Sequence, residues 1–148
     1  MKRQYCTFYV GDLFLGIEVE RIQEVLQDCD ITPVPKAPAA VRGLINLRGQ
    51  IVTAVDLKTR FGLDADAGDS RTILVLDSAD ELRSLVADRS ADVVEVQEKD
   101  FEQPPETLKG EARKLIRGAF KLQKSLLLIL DVDHVFEIDG EGVETGPS

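Results

Sequence analysis

Val41-Arg42-Gly43-Leu44-Ile45-Asn46-Leu47-Arg48-Gly49-Gln50-Ile51-Val52-Thr53-Ala54-Val55-Asp56-Leu57 is the stretch whose reading decides the fold. Two aliphatic runs flank Arg48-Gly49, a dipeptide suited to a tight turn, so the segment reads as a β-hairpin. With Leu47 opposite Gln50, the residues Ile45, Leu47, Val52 and Ala54 share one face. Leu44, Asn46, Ile51, Thr53 and Val55 share the other. Both faces are substantially apolar, as in a hairpin central to a closed barrel or one that keeps a face for a partner.

The same pattern recurs 75 residues on, where Ile116-Arg117-Gly118-Ala119-Phe120-Lys121-Leu122 matches Val41 to Leu47 without a gap and Asp131-Val132 falls against Asp56-Leu57. Earlier segments correspond more loosely, Gly16 to Arg21 with Ser84 to Arg89 and Val25 with Val93. The order hairpin, short helix, hairpin therefore occurs twice. Two all-β units of about 65 to 75 residues, each too small to be very stable alone, are expected to pack together with a groove between them.

Working outward, Tyr5 to Val10 and Leu13 to Glu18 read as a hairpin about Gly11-Asp12. Val19, Ile22 and Leu26 then fall at i, i+3 and i+7, which predicts a short helix with Glu20, Arg21, Gln23 and Glu24 facing away. Three prolines in Ile31 to Pro38 confine that segment to a guarded sheet edge or an extended connector. A helical turn is expected over Leu57 to Leu63 and a polar connector over Asp64 to Ser70. Further strands are expected at Thr72 to Asp77, Leu82 to Ala87 and Val93 to Val96, followed by a polar loop from Gln97 to Lys114. The last hairpin is Leu115 to Leu122 with Ser125 to Leu130, and a short helix from about Asp131 to Glu137 precedes an acidic, frayed tail.

The chain has 148 residues, 43% hydrophobic and 30% charged, with a formal charge of −9, an ordinary composition for one globular domain. Its longest apolar run, Leu126 to Leu130, is far short of the ~20 residues that cross a bilayer, and the N-terminus lacks an apolar signal core. No membrane insertion is expected, and the location expected is the cytoplasm. Cys6 and Cys29 form no CxxC pair and are expected as free, half-buried thiols. Acidic balance disfavours nucleic acid. Charge is nevertheless uneven: Arg42, Arg48, Lys58 and Arg60 stand against Asp56 alone between Val41 and Arg60, which predicts a basic patch on an acidic body.

Catalytic chemistry is hard to find. His134, beside Asp131 and Asp133, is the one histidine, and a solvated helix end explains it better than a metal site or a small hydrolase would. Asp64 and Asp66 begin like a calcium loop, but Gly68 and Val75 fall where oxygen ligands are needed. GxxxxGK[ST], GxGxxG, GxSxG and HExxH are all missing. A single-stranded nucleic-acid barrel would need aromatics on a basic groove, whereas Tyr5, Phe8, Tyr9 and Phe14 cluster in one strand pair. No cofactor, metal or catalytic residue is expected.

The stretch Val41 to Leu57, with Val19 to Val25, Ile31 to Pro35 and Ile129 to Asp133, closely resembles the signature of the CheW family of chemotaxis coupling proteins. The resemblance covers roughly Tyr5 to Glu137. It implies an all-β fold with short helices, built as two SH3-like five-stranded β-barrel subdomains packed around a hydrophobic core. Residues 5–137 would form a single domain of two intertwined subdomains, and residues 138–148 a disordered acidic tail. It also implies a non-enzymatic adaptor that links the cytoplasmic tip of methyl-accepting chemoreceptors to the regulatory domain of a CheA-type histidine kinase, within extended receptor arrays.

By motif match, Val19 and Ile22 would face a receptor helix in the groove between barrels, or else belong to the core. Glu24 and Arg48 occupy positions tied to partner binding, and Gly43 one whose backbone geometry supports coupling. Arg48 would clamp a partner's carboxylate or brace its own turn. The chain departs from the family at Thr53, where Pro is frequent, at Lys58, where Arg is usual, and over Leu82 to Arg89. Those departures fit an adaptor of a non-flagellar pathway, such as one controlling gliding or pili.

Overall fold

The hairpin that opened the sequence reading is present with the register expected of it. In the computed structural model, which describes residues 1–63, 71–78 and 80–138, β4 (Val41–Leu47) and β5 (Gln50–Asp56) pair antiparallel with Leu47 opposite Gln50. Arg48 (φ 53°) and Gly49 (φ 88°) both take positive φ, as a two-residue hairpin turn of matching twist requires. The Gly49 amide donates to Asn46 Oδ1 at 2.8 Å, so the Asn side chain closes the turn.

Ten strands and three short helices make up the described chain. Before β4 come β1 (Lys2–Val10), β2 (Leu13–Glu18), a 3-10 turn (Val19–Arg21) and β3 (Ile22–Gln27). After β5 come α1 (Leu57–Arg60), β6 (Thr72–Ser78), β7 (Glu81–Ala87) and β8 (Arg89–Gln97). The chain ends with α2 (Gly110–Lys114), β9 (Ile116–Lys121), β10 (Leu126–Leu130) and α3 (Val132–Val135). The expected connector at Asp64 to Ser70 and the tail beyond Ile138 lie outside the described residues.

Two five-stranded sheets result, in the orders β8-β1-β2-β10-β9 and β3-β6-β7-β5-β4. The two units of the repeat therefore do not each close on their own strands. Each sheet takes a hairpin from one half of the chain and three strands from the other, with β3 and β8 crossing between halves. Parallel pairs β2–β10 and β5–β7 join the contributions within each sheet.

The two edges of each sheet approach one another through a single bridge. Thr32, just after β3, exchanges backbone hydrogen bonds of 2.8 Å with Leu44 on β4. Glu102, just after β8, does the same with Ala119 on β9 at 2.9 Å. The curled sheets are those of the SH3-like class, and the proline-rich segment guards an edge as expected. Close approach at both bridges is possible because Gly43 and Gly118 lack a Cβ. At Gly43 it would stand 2.7 Å from the Thr32 carbonyl carbon, and at Gly118 2.5 Å from Glu102 O.

Alternating side chains sort into three cores. Ile45, Leu47, Val52, Ala54, Ile73, Val75 and Val86 fill the interior of one sheet, and Tyr5, Phe120, Leu127 and Ile129 that of the other. Phe8, Val10, Leu15, Ile17, Val55, Leu74, Leu76, Leu85, Leu128 and Leu130 form the larger cluster between them. β6 thus sends Ile73 and Val75 inward and Leu74 and Leu76 to the seam, which is why Ile73 to Leu76 is apolar without alternation. Helix caps repeat with the sequence: Asp56 Oδ1 accepts from the Lys58 amide at 2.9 Å, and Asp131 Oδ1 from the His134 amide at 3.1 Å.

The helix expected over Val19 to Leu26 is absent. Only Val19–Arg21 is helical, as a 3-10 turn, and β3 begins at Ile22. Ile22, Glu24 and Leu26 alternate with exposed Gln23, Val25 and Gln27, a period of two that pairs β3 with β6. Both cysteines are free and half-buried, and burial pushes the Cys6 thiol above its ordinary value.

Candidate partner-docking surface

β3 and β4 are the opposite edges of their sheet, and one ion pair ties them together at the surface. Arg48, projecting from the β4–β5 turn, donates Nη2 to Glu24 Oε1 at 2.7 Å and Nη1 to Oε2 at 3.2 Å. This forked geometry suits a guanidinium and a carboxylate. It needs the turn to place Arg48 at φ 53° and the β3 alternation to aim Glu24 inward of its exposed neighbours. The hydrogen bond from Arg48 holds the Glu24 carboxyl below its ordinary value, and Glu24 in turn raises that of Arg48. Arg48 keeps 72% of its side-chain surface exposed, so it braces its own edge while still offering donors outward.

The other residues nominated from sequence occupy different depths. Gly43 is buried and serves the Thr32–Leu44 bridge rather than an exposed contact. Val19, in the 3-10 turn, is half-buried, and Ile22 is half-buried against the central core. Glu24 stands on a strand, not on the outer face of a helix. The pattern of two apolar residues gripping a partner one helical turn apart therefore does not hold, because Val19 and Ile22 straddle the junction between turn and strand.

That junction is fastened to the far end of the chain. Arg21 Nη2 donates at 3.1 Å to both Asp77 O and Asp133 Oδ1, and Asp133 also accepts from Ser78 Oγ at 3.3 Å. Gln23 Nε2 donates to Asp77 Oδ2 at 2.7 Å. Beside this network a cleft of about 590 Å³ lies among Gln50, Ile51, Thr53, Asp77, Asp80 and Glu81. Ile51 is 60% exposed and Val25 on β3 is 40% exposed. Neither was singled out from sequence. The signal for Ile51 lay in the hairpin's second apolar face, which is where the structure leaves it in solvent.

The basic patch predicted between Val41 and Arg60 is not there as free charge. Arg42 pairs with Asp56 at 2.8 Å, Arg48 with Glu24, Lys58 with Asp88 at 3.4 Å and Arg60 with Glu111 at 3.2 Å. Carboxylates distant in sequence are brought in by the fold. Phe8 is fully buried and Tyr5 nearly so, which removes two of the rings a nucleic-acid platform would need. Asp131 and Asp133 are engaged as described, and His134 Nδ1 lies 3.1 Å from Glu137 Oε1. Among the described residues no three His, Cys, Asp or Glu side chains gather in a metal-binding group, and no helix is long and apolar enough to cross a membrane.

Residues 4–139 match the model of the CheW-like domain. The chain belongs to the CheW-like domain family. It is 31% identical over 138 residues to the chemotaxis protein CheW of Treponema pallidum, covering 90% of this chain and 81% of that one. A shorter stretch of 56 residues is 36% identical to the protein FrzA of Myxococcus xanthus, covering 38% of this chain and 35% of that protein. The crystal structure of the scaffolding protein TtCheW from Thermoanaerobacter tengcongensis superposes with a TM-score of 0.86 at 26% identity, covering 95% of this chain and 97% of that one. The two intertwined sheets are thus the CheW-like architecture, and the Asn46-Leu47-Arg48-Gly49 turn carries the edge-to-edge ion pair.

Proposed function

We propose that the protein is a non-enzymatic adaptor of chemosensory signalling, coupling the cytoplasmic tips of chemoreceptors to the regulatory domain of a CheA-type histidine kinase. The carrying observation is the near full-length structural likeness to a CheW scaffolding protein. An adaptor of this kind works in the cytoplasm at the inner face of the membrane, in receptor arrays, and needs apolar surface rather than tuned proton donors. Such surface stands at Ile51 and Val25, beside Arg48.

In this reading Val19, Ile22 and the Arg48–Glu24 pair form one partner-facing edge. A receptor helix would use the half-buried Val19 and Ile22 at the seam, and a kinase domain the exposed guanidinium. Gly43 contributes by keeping that edge closed. Co-sedimentation of the purified protein with receptor-tip fragments and the cognate kinase, with ATP turnover followed in the same tube, tests it. Recruitment of kinase to receptor, weakened by Arg48→Ala, is the expected result; binding to neither partner would overturn the reading.

A second reading places the same adaptor in a non-flagellar pathway controlling gliding or pili. The segment shared with FrzA and the departures at Thr53 and Lys58 favour it. Preferential recruitment by receptors of such a pathway distinguishes the two.

A further inference from the structure

Arg42 and Arg117 hold the same place in the sequence repeat, yet the fold treats them differently. Arg42 is neutralised by Asp56, whose side chain is buried. The equivalent acid, Asp131, accepts from the His134 amide, and Arg117 is exposed with no hydrogen bond or ion pair among the described residues. A cavity of about 180 Å³ opens beside it, walled by Arg117, Tyr5, Phe101 and Phe120.

Tyr5 carries the argument further. It is 5% exposed, and its hydroxyl has no hydrogen-bond partner among the described residues, although buried tyrosine hydroxyls ordinarily find one. Burial and then Glu18 raise its pKa against the opposing charges of Arg3 and Arg117, and a phenol is in any case a hydrogen-bond donor at neutral pH. The remaining wall residues are Arg3, Glu18 and Glu98. Glu18 and Glu98 lie 2.6 and 2.9 Å from Arg3, so both acids are already engaged and Arg117 is the uncommitted charge. Phe101 and Phe120 pack edge-on with centroids 5.4 Å apart and give the cavity an apolar flank.

We propose that this cavity binds an organic carboxylate, its oxygens held by the Arg117 guanidinium and the Tyr5 hydroxyl and its apolar stem lying on Phe101 and Phe120. A guanidinium and a phenol are both donors, which selects an acceptor-only anion over an amide or an alcohol. The volume admits one compact group. Its source is either a free small acid or a glutamate side chain presented by a protein. The proposal does not rest on the adaptor reading.

Fluorescence suits the test because the chain has no Trp and two Tyr, so in a Tyr9→Phe background Tyr5 is the sole emitter. Two probes separate the sources: 3-phenylpropionate, a free acid of cavity size, and N-acetyl-glutamate methylamide, a carboxylate on a backbone. The neutral 3-phenylpropanamide serves as control. A saturable change in Tyr5 emission is expected with one or both acids, at least tenfold weaker with the amide. Response to the first alone assigns a free acid, and to the second alone a presented side chain. Arg117→Ala, at an exposed position, should weaken binding at least tenfold. Tyr5→Phe, which keeps the ring packing, should weaken it several-fold, followed by the NMR signal of Arg117 Nε. No saturable response to either acid, an equal response to the amide, or binding unchanged in Arg117→Ala would overturn the proposal.

Discussion

Gly43→Ala probes the closure of the β3–β4 edge, and its cost can be worked from the structure. The new Cβ would stand 2.7 Å from the Thr32 carbonyl carbon, a backbone atom that cannot swing aside, with Ile31 Cγ2 at 2.9 Å. Relief to an ordinary contact of about 3.5 Å displaces Thr32 by most of an ångström, which takes both 2.8 Å bonds of the Thr32–Leu44 bridge out of hydrogen-bond range. Two lost backbone bonds cost about 0.5–1.5 kcal/mol each, and an alanine held at the φ of 153° adds about 1–3 kcal/mol. The sum is about 2–6 kcal/mol, a large fraction of a typical domain stability of about 5–15 kcal/mol. At about 2–4 °C per kcal/mol, melting should fall by about 10 °C. Gly49→Ala supplies the control, since its φ is also positive, at 88°, but nothing lies within 4 Å of its Cβ. It should lose only the conformational part, about 1–3 kcal/mol, without the two backbone bonds. Parallel thermal and urea unfolding measures both. Equal losses in the two variants would refute the crowding argument and leave backbone strain alone as the cause.

Three further outcomes follow from named contacts. Glu24 has a lowered pKa because Arg48 donates to it, so the pair contributes above the ordinary glutamate value and is lost as pH falls through the folded value. Carboxyl NMR titration should show Glu24 titrating at higher pH in Arg48→Ala than in the parent, and an unchanged titration would count against the ion pair. Asp56→Ala removes both a helix cap and the Arg42 pair, costing about 2–4 kcal/mol, whereas Asp131→Ala removes only a cap, costing about 0.5–2 kcal/mol. Urea midpoints that reverse this order would contradict the asymmetry. Burial raises the Cys6 thiol, so at pH 7.5 Cys6 should react with a maleimide several-fold more slowly than Cys29, read by peptide mass analysis.

The hairpin Val41 to Asp56 was legible down to its register because its turn dipeptide and its two apolar faces agree on one pairing. The last hairpin was legible through the repeat. The segment after β2 was not, because Ile22 and Leu26 are four apart, a spacing that suits a period of two as well as one of 3.6. Pairing with β6 decided between them, and that contact is invisible to a local pattern. The exchange of β3 and β8 between halves was likewise hidden, since a repeat reports similar units but not which sheet each strand joins. Of the candidate site, Glu24 and Arg48 were named separately, but their mutual ion pair required the sheet to curl until its edges met. The basic patch misled for a related reason: charge counted along the chain omits acids such as Asp88 and Glu111 that folding delivers.

Comparison across the repeat separates what holds the fold from what is left for partners. Gly43 and Gly118, the bridges Thr32–Leu44 and Glu102–Ala119, and the caps Asp56 and Asp131 recur in both halves. Elements needed twice by the same architecture are structural. Two cationic positions break the correspondence. Arg48 crosses to Glu24, whereas the matching turn of the last hairpin, Gln123-Lys124, has no ion pair among the described residues. Arg42 is neutralised, whereas Arg117 stands open beside a cavity. A duplicated fold lets one copy of a position keep the structural bond while the other is released, because Asp131 keeps its cap to the His134 amide without an arginine beside it. The asymmetric arginines are therefore where two nearly equivalent subdomains present different chemistry to their surroundings, the kind of difference by which one surface discriminates between ligands.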